Sequence, residues 1–143
     1  MARVKLAPLD HYQSIYETTV EVTDLNYGNH LGNDALVGII HRARVNFLNR
    51  LSASENNLGD GQTGIILADL IVNYMGESFL FDKLCVESSI GEVRSKGFRM
   101  FHRITALEGR IIALAETGIV AYNYHKRKIA GIPESFVSKI TDL

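Results

Sequence analysis

The chain has 143 residues, 46% of them hydrophobic and 22% charged. That is enough for one ordinary globular domain over residues 1–143 and too apolar for a disordered one. A formal net charge of -1 lacks the basic excess of a nucleic-acid binder, so no nucleic-acid partner is expected. The single cysteine, Cys85, excludes an internal disulfide and any multi-cysteine zinc site.

The segment Met1 to Pro8 carries neither an apolar h-region nor a small-residue cleavage site, so it does not read as a secretory signal. No stretch reaches the ~20 uninterrupted apolar residues of a membrane span, and the expectation is a cytoplasmic protein with no membrane partner. Residues 16–24 alternate apolar and polar side chains and are rich in Val and Thr, the pattern of a half-buried strand. The next eight, Leu25-Asn26-Tyr27-Gly28-Asn29-His30-Leu31-Gly32, hold two glycines and two asparagines and predict a loop. Asn33 or Asp34 is placed to cap a helix. From Asp34 to Leu51 the apolar residues Leu36, Ile40, Ala43, Phe47 and Leu51 recur at helical spacing, widened by Ile39 and Leu48. That spacing predicts one helix of about five turns.

Small and polar residues at 52–64 predict a loop out of the helix. Four strands come after it: Gly64–Tyr74, Asp82–Val93, Gly97–Leu107 and Arg110–Tyr124, with a tight hairpin turn at Glu108-Gly109. They are expected to chain as a meander, and Ile132–Val137 to form a short final helical turn. A lone amphipathic helix must be covered by its sheet, which predicts an α+β fold: one long central helix wrapped by a curved antiparallel sheet of about five strands. The open edges of such a sheet predict pairing with a second copy.

The segment Asp24-Leu25-Asn26-Tyr27-Gly28-Asn29-His30-Leu31-Gly32-Asn33 resembles the Asp-x-Asp-x-x-Gly-His-Val-Asn-Asn loop of hotdog-fold thioesterases of the 4-hydroxybenzoyl-CoA type. His41-Arg42-Ala43-Arg44-Val45-Asn46-Phe47-Leu48 is similar to their Glu-x-Ala-Arg-x-x-Phe-Leu helix. Tyr74 and Asp82 sit at the spacing of a family Tyr-x7-Asp stretch, Arg94-Ser95-Lys96 falls where relatives carry a basic-Ser segment, and Ile132-Pro133-Glu134 matches their tail. The resemblance runs from about Val20 to Phe136. It implies a hotdog dimer or dimer of dimers that hydrolyses an acyl-CoA or acyl-carrier-protein thioester without a cofactor. It also implies a thioester carbonyl aimed at backbone N–H groups near Asn33 and Asp34, where a helix N-terminus supplies unpaired donors.

Two positions depart from the family pattern. The loop position that carries a catalytic Asp in many relatives is Asn26, an amide that cannot take a proton from water. The helix position that carries Glu in several relatives is His41, read here as a packing or interface histidine. General-base work then falls to Asp34 or His30, with Asp24 behind them; Asp24 reads more simply as a carboxylate that binds the turn backbone. An imidazole titrates near neutrality and suits base work, and His30 is equally suited to pinning the loop. Tyr74 is expected at the pocket edge. Arg94, Ser95, Lys96 and Arg99 are candidates for the phosphates of CoA, as is the cluster Lys126-Arg127-Lys128. Asp69 is expected to face solvent or a dimer interface, and Cys85 to pack as a small hydrophobe. Five scattered histidines show no ligand spacing, so no metal is inferred. Two other readings stand beside the hydrolase: an acyl-thioester-binding protein without catalysis, and a hydratase. The latter wants a His–carboxylate pair that the sequence does not single out.

Overall fold

The long helix α1 spans Asn33–Arg50 and buries Leu36, Ile39, Ile40, Ala43, Phe47 and Leu48 along one face, as the three-to-four spacing predicts. The computed structural model, which describes residues 3–143, places six strands around it. These are β1 (Ser14–Thr19), β2 (Thr63–Tyr74), β3 (Lys83–Gly91), β4 (Gly97–Ala106), β5 (Ile111–Asn123) and the two-residue β6 (Lys128–Ile129). A second helix, α2, covers Glu134–Thr141, a longer element than the single turn expected from the tail.

The sheet is antiparallel in the order β1-β3-β4-β5-β2, with β6 pairing the end of β5. The meander holds for β3, β4 and β5 but not for β2, which crosses to the far side of β5 rather than pairing with β3. The connection at 75–82 is too long for a tight hairpin. It is also tied elsewhere: Met75 and Gly76 donate to Ile112, while Ser78 accepts from Leu31. The first strand stops at Thr19 rather than running to Asp24. Val20, fully buried, donates to Asp82, and Val22–Asp24 coil into a 3-10 turn closed by reciprocal bonds between Glu21 and Asp24.

The helix starts one residue earlier than expected, and its N-cap is Gly32, not Asn33 or Asp34. Gly32 is extended (φ -70°, ψ 150°) and donates to the Asp24 carbonyl at 2.9 Å, so Asn33 and Asp34 already lie in the first turn.

Alternation along β4 sends Phe98, Met100, His102, Ile104 and Ala106 inward. The inward face of β5 is mostly small: Ala113, Ala115, Thr117 and Ala121 are all buried. Small side chains on this strand let the sheet approach α1, whose first half packs on Val86, Ile104, Ala113 and Ala115. Its second half, Phe47 and Leu48, packs with Phe98, Met100, Ile119 and, from α2, Phe136. Each such large apolar side chain contributes about 1.5–3 kcal/mol by leaving water. Neither helix is long and apolar enough to cross a membrane.

Candidate functional site

The loop before α1 is built by its own polar residues. Asn26 donates to the His30 carbonyl and accepts from Asn29, both at 3.0 Å, while its side-chain Oδ1 accepts the Gly28 N–H at 2.9 Å. Asn29 takes φ 63°, a left-handed conformation that asparagine tolerates better than most residues. A bridge between Leu25 and Leu31 closes the loop, and Leu31 donates to Ser78 at 2.8 Å. His30 is half-buried, with Nδ1 3.2 Å from the Leu31 carbonyl. Asp24 accepts the Glu21 N–H at 2.8 Å through its carboxylate, so its side chain works within the turn.

Gly32 has no side chain with which to cap α1, so the N–H groups of Asn33, Asp34 and Ala35 are left without intrahelical acceptors. The exposed Asp34 carboxylate lies beside Gly32, where an added Cβ would meet its Oδ1 at 2.7 Å and the Asn26 Cβ at 3.6 Å. Tyr74, at the end of β2, donates its hydroxyl to the Asn33 carbonyl at 3.0 Å. Partial burial, and then the charge of Asp34, push its phenol above the ordinary value. The fold thus gathers Asp24, Asn26, His30, Asn33, Asp34 and Tyr74 at one helix N-terminus, a place suited to a developing oxyanion.

Arg94, Ser95 and Lys96 are not part of that cluster within one chain. They form the exposed turn between β3 and β4, beside a groove of about 580 Å³ that Asp69, Arg99 and Ile129 also line. Tyr74 pairs with Ala113 and Gly97 with Val120, seven residues further along β5. At about 3.3 Å per residue the two ends are roughly 23 Å apart. In the same groove the exposed Asp69 takes two hydrogen bonds from Arg99, which hold its carboxyl below the usual value. Among the described residues no cluster of His, Cys, Asp or Glu is arranged to hold a metal ion.

A second polar cluster, missed in the sequence, lies halfway along α1. A cavity of about 360 Å³ opens between α1, β2 and β5. His41 Nε2 lies 2.7 Å from Glu55 Oε1, and Arg44 Nε donates to Glu55 Oε2 at 2.9 Å. Arg44 is only 4% exposed although its helix neighbours on that face are apolar. Glu55 is held in the loop at 52–62 by the Ile65 N–H, which donates to its carbonyl at 2.7 Å. The close approach requires Gly64, where a Cβ would strike the backbone of Glu55 and Asn56. Partial burial raises the Glu55 carboxyl, but the hydrogen bonds and charges of Arg44 and His41 outweigh it and leave it lowered. Thr117 lines the same cavity, fully buried, and its Oγ1 has no hydrogen-bond partner among the described residues. On the neighbouring strand the buried His102 meets the Ser88 hydroxyl through Nδ1 at 2.7 Å, while its Nε2 has no partner among the described residues.

A search of curated protein sequences finds no match to the chain. Solved structures do match. A 1,4-dihydroxy-2-naphthoyl-CoA thioesterase from Synechocystis superposes with a TM-score of 0.81 at 22% identity, over 90% of this chain and 96% of that one. A Staphylococcus aureus protein solved in complex with CoA gives 0.81 at 18% identity, over 95% and 87%. A gentisyl-coenzyme A thioesterase gives 0.78 at 20% identity, over 89% and 99%. Identities this low establish the fold alone: the helix and its antiparallel sheet are those of the hotdog thioesterases. The family profile of the thioesterase-like superfamily matches residues 20–140, nearly the whole chain and both polar clusters with it. The chain belongs to the thioesterase-like superfamily.

Proposed function

We propose that the protein hydrolyses an acyl-CoA thioester, with the carbonyl polarised at the N-terminus of α1. The observation that carries this reading is the uncapped first turn: three N–H groups at Asn33, Asp34 and Ala35, beside Asn26, His30 and Tyr74, in a chain of this superfamily. Donors fixed before the reaction stabilise an oxyanion without reorganisation, and removing one such donor in other enzymes costs about 2.7–4 kcal/mol of barrier.

The working unit in this reading is a homodimer joined at β2. That strand is a sheet edge, and Ile66, Leu67 and Leu70 expose apolar surface along it. Antiparallel pairing of two β2 edges reverses the second copy end for end. It thereby brings the partner subunit's Arg94 and the partner subunit's Lys96 toward the Tyr74 end of this chain, where they serve the CoA phosphates. The dimer thus joins two groups of candidate residues that one chain keeps apart.

Release of free thiol from short, long and aryl acyl-CoAs tests the reading; turnover at only the uncatalysed rate on all of them overturns it. One observation favours a second reading, an acyl-thioester-binding protein without catalysis: Asn26 stands where relatives carry a catalytic Asp, and its Oδ1 is occupied by the Gly28 N–H. Saturable binding of acyl-CoA with no thiol release would select that reading.

A further inference from the structure

The hydrolase reading needs a base better placed than the loop before α1 offers: Asn26 cannot accept a proton, Asp24 already accepts the Glu21 N–H, His30 Nδ1 lies against the Leu31 carbonyl, and the Asp34 carboxylate would oppose an oxyanion at the same helix N-terminus. The mid-helix cavity contains such a base. Its walls are apolar at Val37, Ile40, Ile65, Leu67 and Leu70, suited to an acyl group. On its polar side Arg44, Glu55 and His41 form a chain of hydrogen bonds, guanidinium to carboxylate to imidazole. The buried Arg44 charge keeps the carboxylate ionised. An ionised carboxylate only accepts hydrogen bonds, so in the neutral ring the hydrogen sits on Nε2, facing Glu55. Nδ1 is left with the lone pair. Thr117 Oγ1 adds an independent sign of a ligand: a fully buried hydroxyl with no partner among the described residues lines this same cavity.

Resting on the thioester-hydrolase reading, we infer that His41 is the general base and then the general acid of the reaction, positioned by Glu55. A water proton passes to His41 Nδ1 as the water oxygen bonds to the acyl carbon, and the carbonyl π pair moves onto oxygen, facing the first-turn N–H groups of α1. Collapse of this intermediate breaks the C–S bond. The imidazolium returns its proton to the leaving sulfur, which gives free thiol and a carboxylic acid that ionises to solvent.

Within one chain Asn33 and His41 are eight residues apart on α1, about 12 Å, too far for one carbonyl to meet both. Antiparallel pairing at β2 removes the gap. Tyr74 and the helix N-terminus lie at one end of that strand, and Glu55, bound to Ile65, lies at the other. Reversal of the second copy sets the partner subunit's His41 toward the N-terminus of this α1. Each site is then completed in trans.

The groups around His41 are Glu55 and Arg44, with Tyr124 across the cavity and Arg42 and Tyr16 on its other flank. The test measures thiol release from the acyl-CoA panel by the full-length protein and by His41→Gln, His41→Ala and Glu55→Gln, each checked for folding by circular dichroism. The His41 side chain is 55% exposed, so its replacement leaves the core intact. The expected result is a loss in kcat of about 100-fold or more for His41→Gln, with disappearance of the acid limb of kcat/KM that the unsubstituted protein shows. Added imidazole restores part of the rate to His41→Ala, and Glu55→Gln lowers kcat while keeping KM. A smaller loss in His41→Gln, or an acid limb that survives it, overturns the dyad and leaves the hydrolase reading standing. An unsubstituted protein that releases no thiol from any substrate overturns both.

Discussion

The stability of this fold is expected to decline below neutral pH because of His102. Burial, and secondarily the charge of Arg44, lower its pKa to about 3. In the unfolded chain an imidazole titrates near 6.5. Between these two values the unfolded state binds a proton that the native state refuses, so acidification favours unfolding by about 1.4 kcal/mol per pH unit. The contribution is fully present above pH 6.5 and is lost progressively as pH falls toward 3. From pH 7.5 to pH 5 the loss is about 2 kcal/mol, which lowers a urea midpoint by roughly 1 M at a typical slope. Urea unfolding at the two pH values, for the protein and for His102→Gln, isolates this proton, because the carboxylates contribute equally to both. The substitution lowers stability at both pH values, yet the pH-dependent loss should shrink by about 2 kcal/mol. Equal losses in the two proteins refute the reasoning, as does a His102 ring seen by NMR to titrate above pH 5.

Three further outcomes are expected from the same contacts. Asn26→Asp keeps the loop, because a carboxylate oxygen still accepts the Gly28 N–H, and thiol release should change less than threefold; a gain of tenfold or more would move base duty to the loop. Glu55→Leu strands the buried Arg44 charge and should cost about 3 kcal/mol or more in urea unfolding, whereas Arg44→Met removes the charge itself and should cost less. Phe136→Ala empties the contact with Phe98, whose ring centroid lies 5.8 Å away, and should cost about 3–5 kcal/mol while thiol release below the melting range is retained.

The elements of this fold are readable in the chain because they are local. The α1 stripe recurs every three to four residues, and Gly109 takes the positive φ of 85° that its hairpin turn requires. The loop before α1 is equally plain, since Asn26, Gly28 and Asn29 bond mainly to one another. Pairing is a different matter. Periodicity names the buried face of a strand but not its neighbour, so β2 could be placed in the sheet yet not beside β5. The same limit hid the second cluster. His41 and Arg44 were visible as polar residues on a helix, but their partner Glu55 lies 14 and 11 residues away in a loop with no periodic signal. The residues around Tyr74 and those around Arg94 are each legible as polar groups in the chain, while the distance between them depends on the register along β5.

The pairing of β2 also sets a timetable for synthesis. Its hydrogen-bond partner ends at Asn123, so roughly fifty more residues must leave the ribosome before the ladder can close, about 3–10 s at usual elongation rates. Throughout that interval the nascent chain carries Ile65-Ile66-Leu67-Ala68-Asp69-Leu70-Ile71-Val72, a segment rich in β-branched and leucine side chains with a single charge. That charge is Asp69, and it has a gatekeeper's position: it interrupts the run before Arg99 exists to pair with it. One negative charge thus stands in the middle of an edge that has no ladder partner until β5 is made.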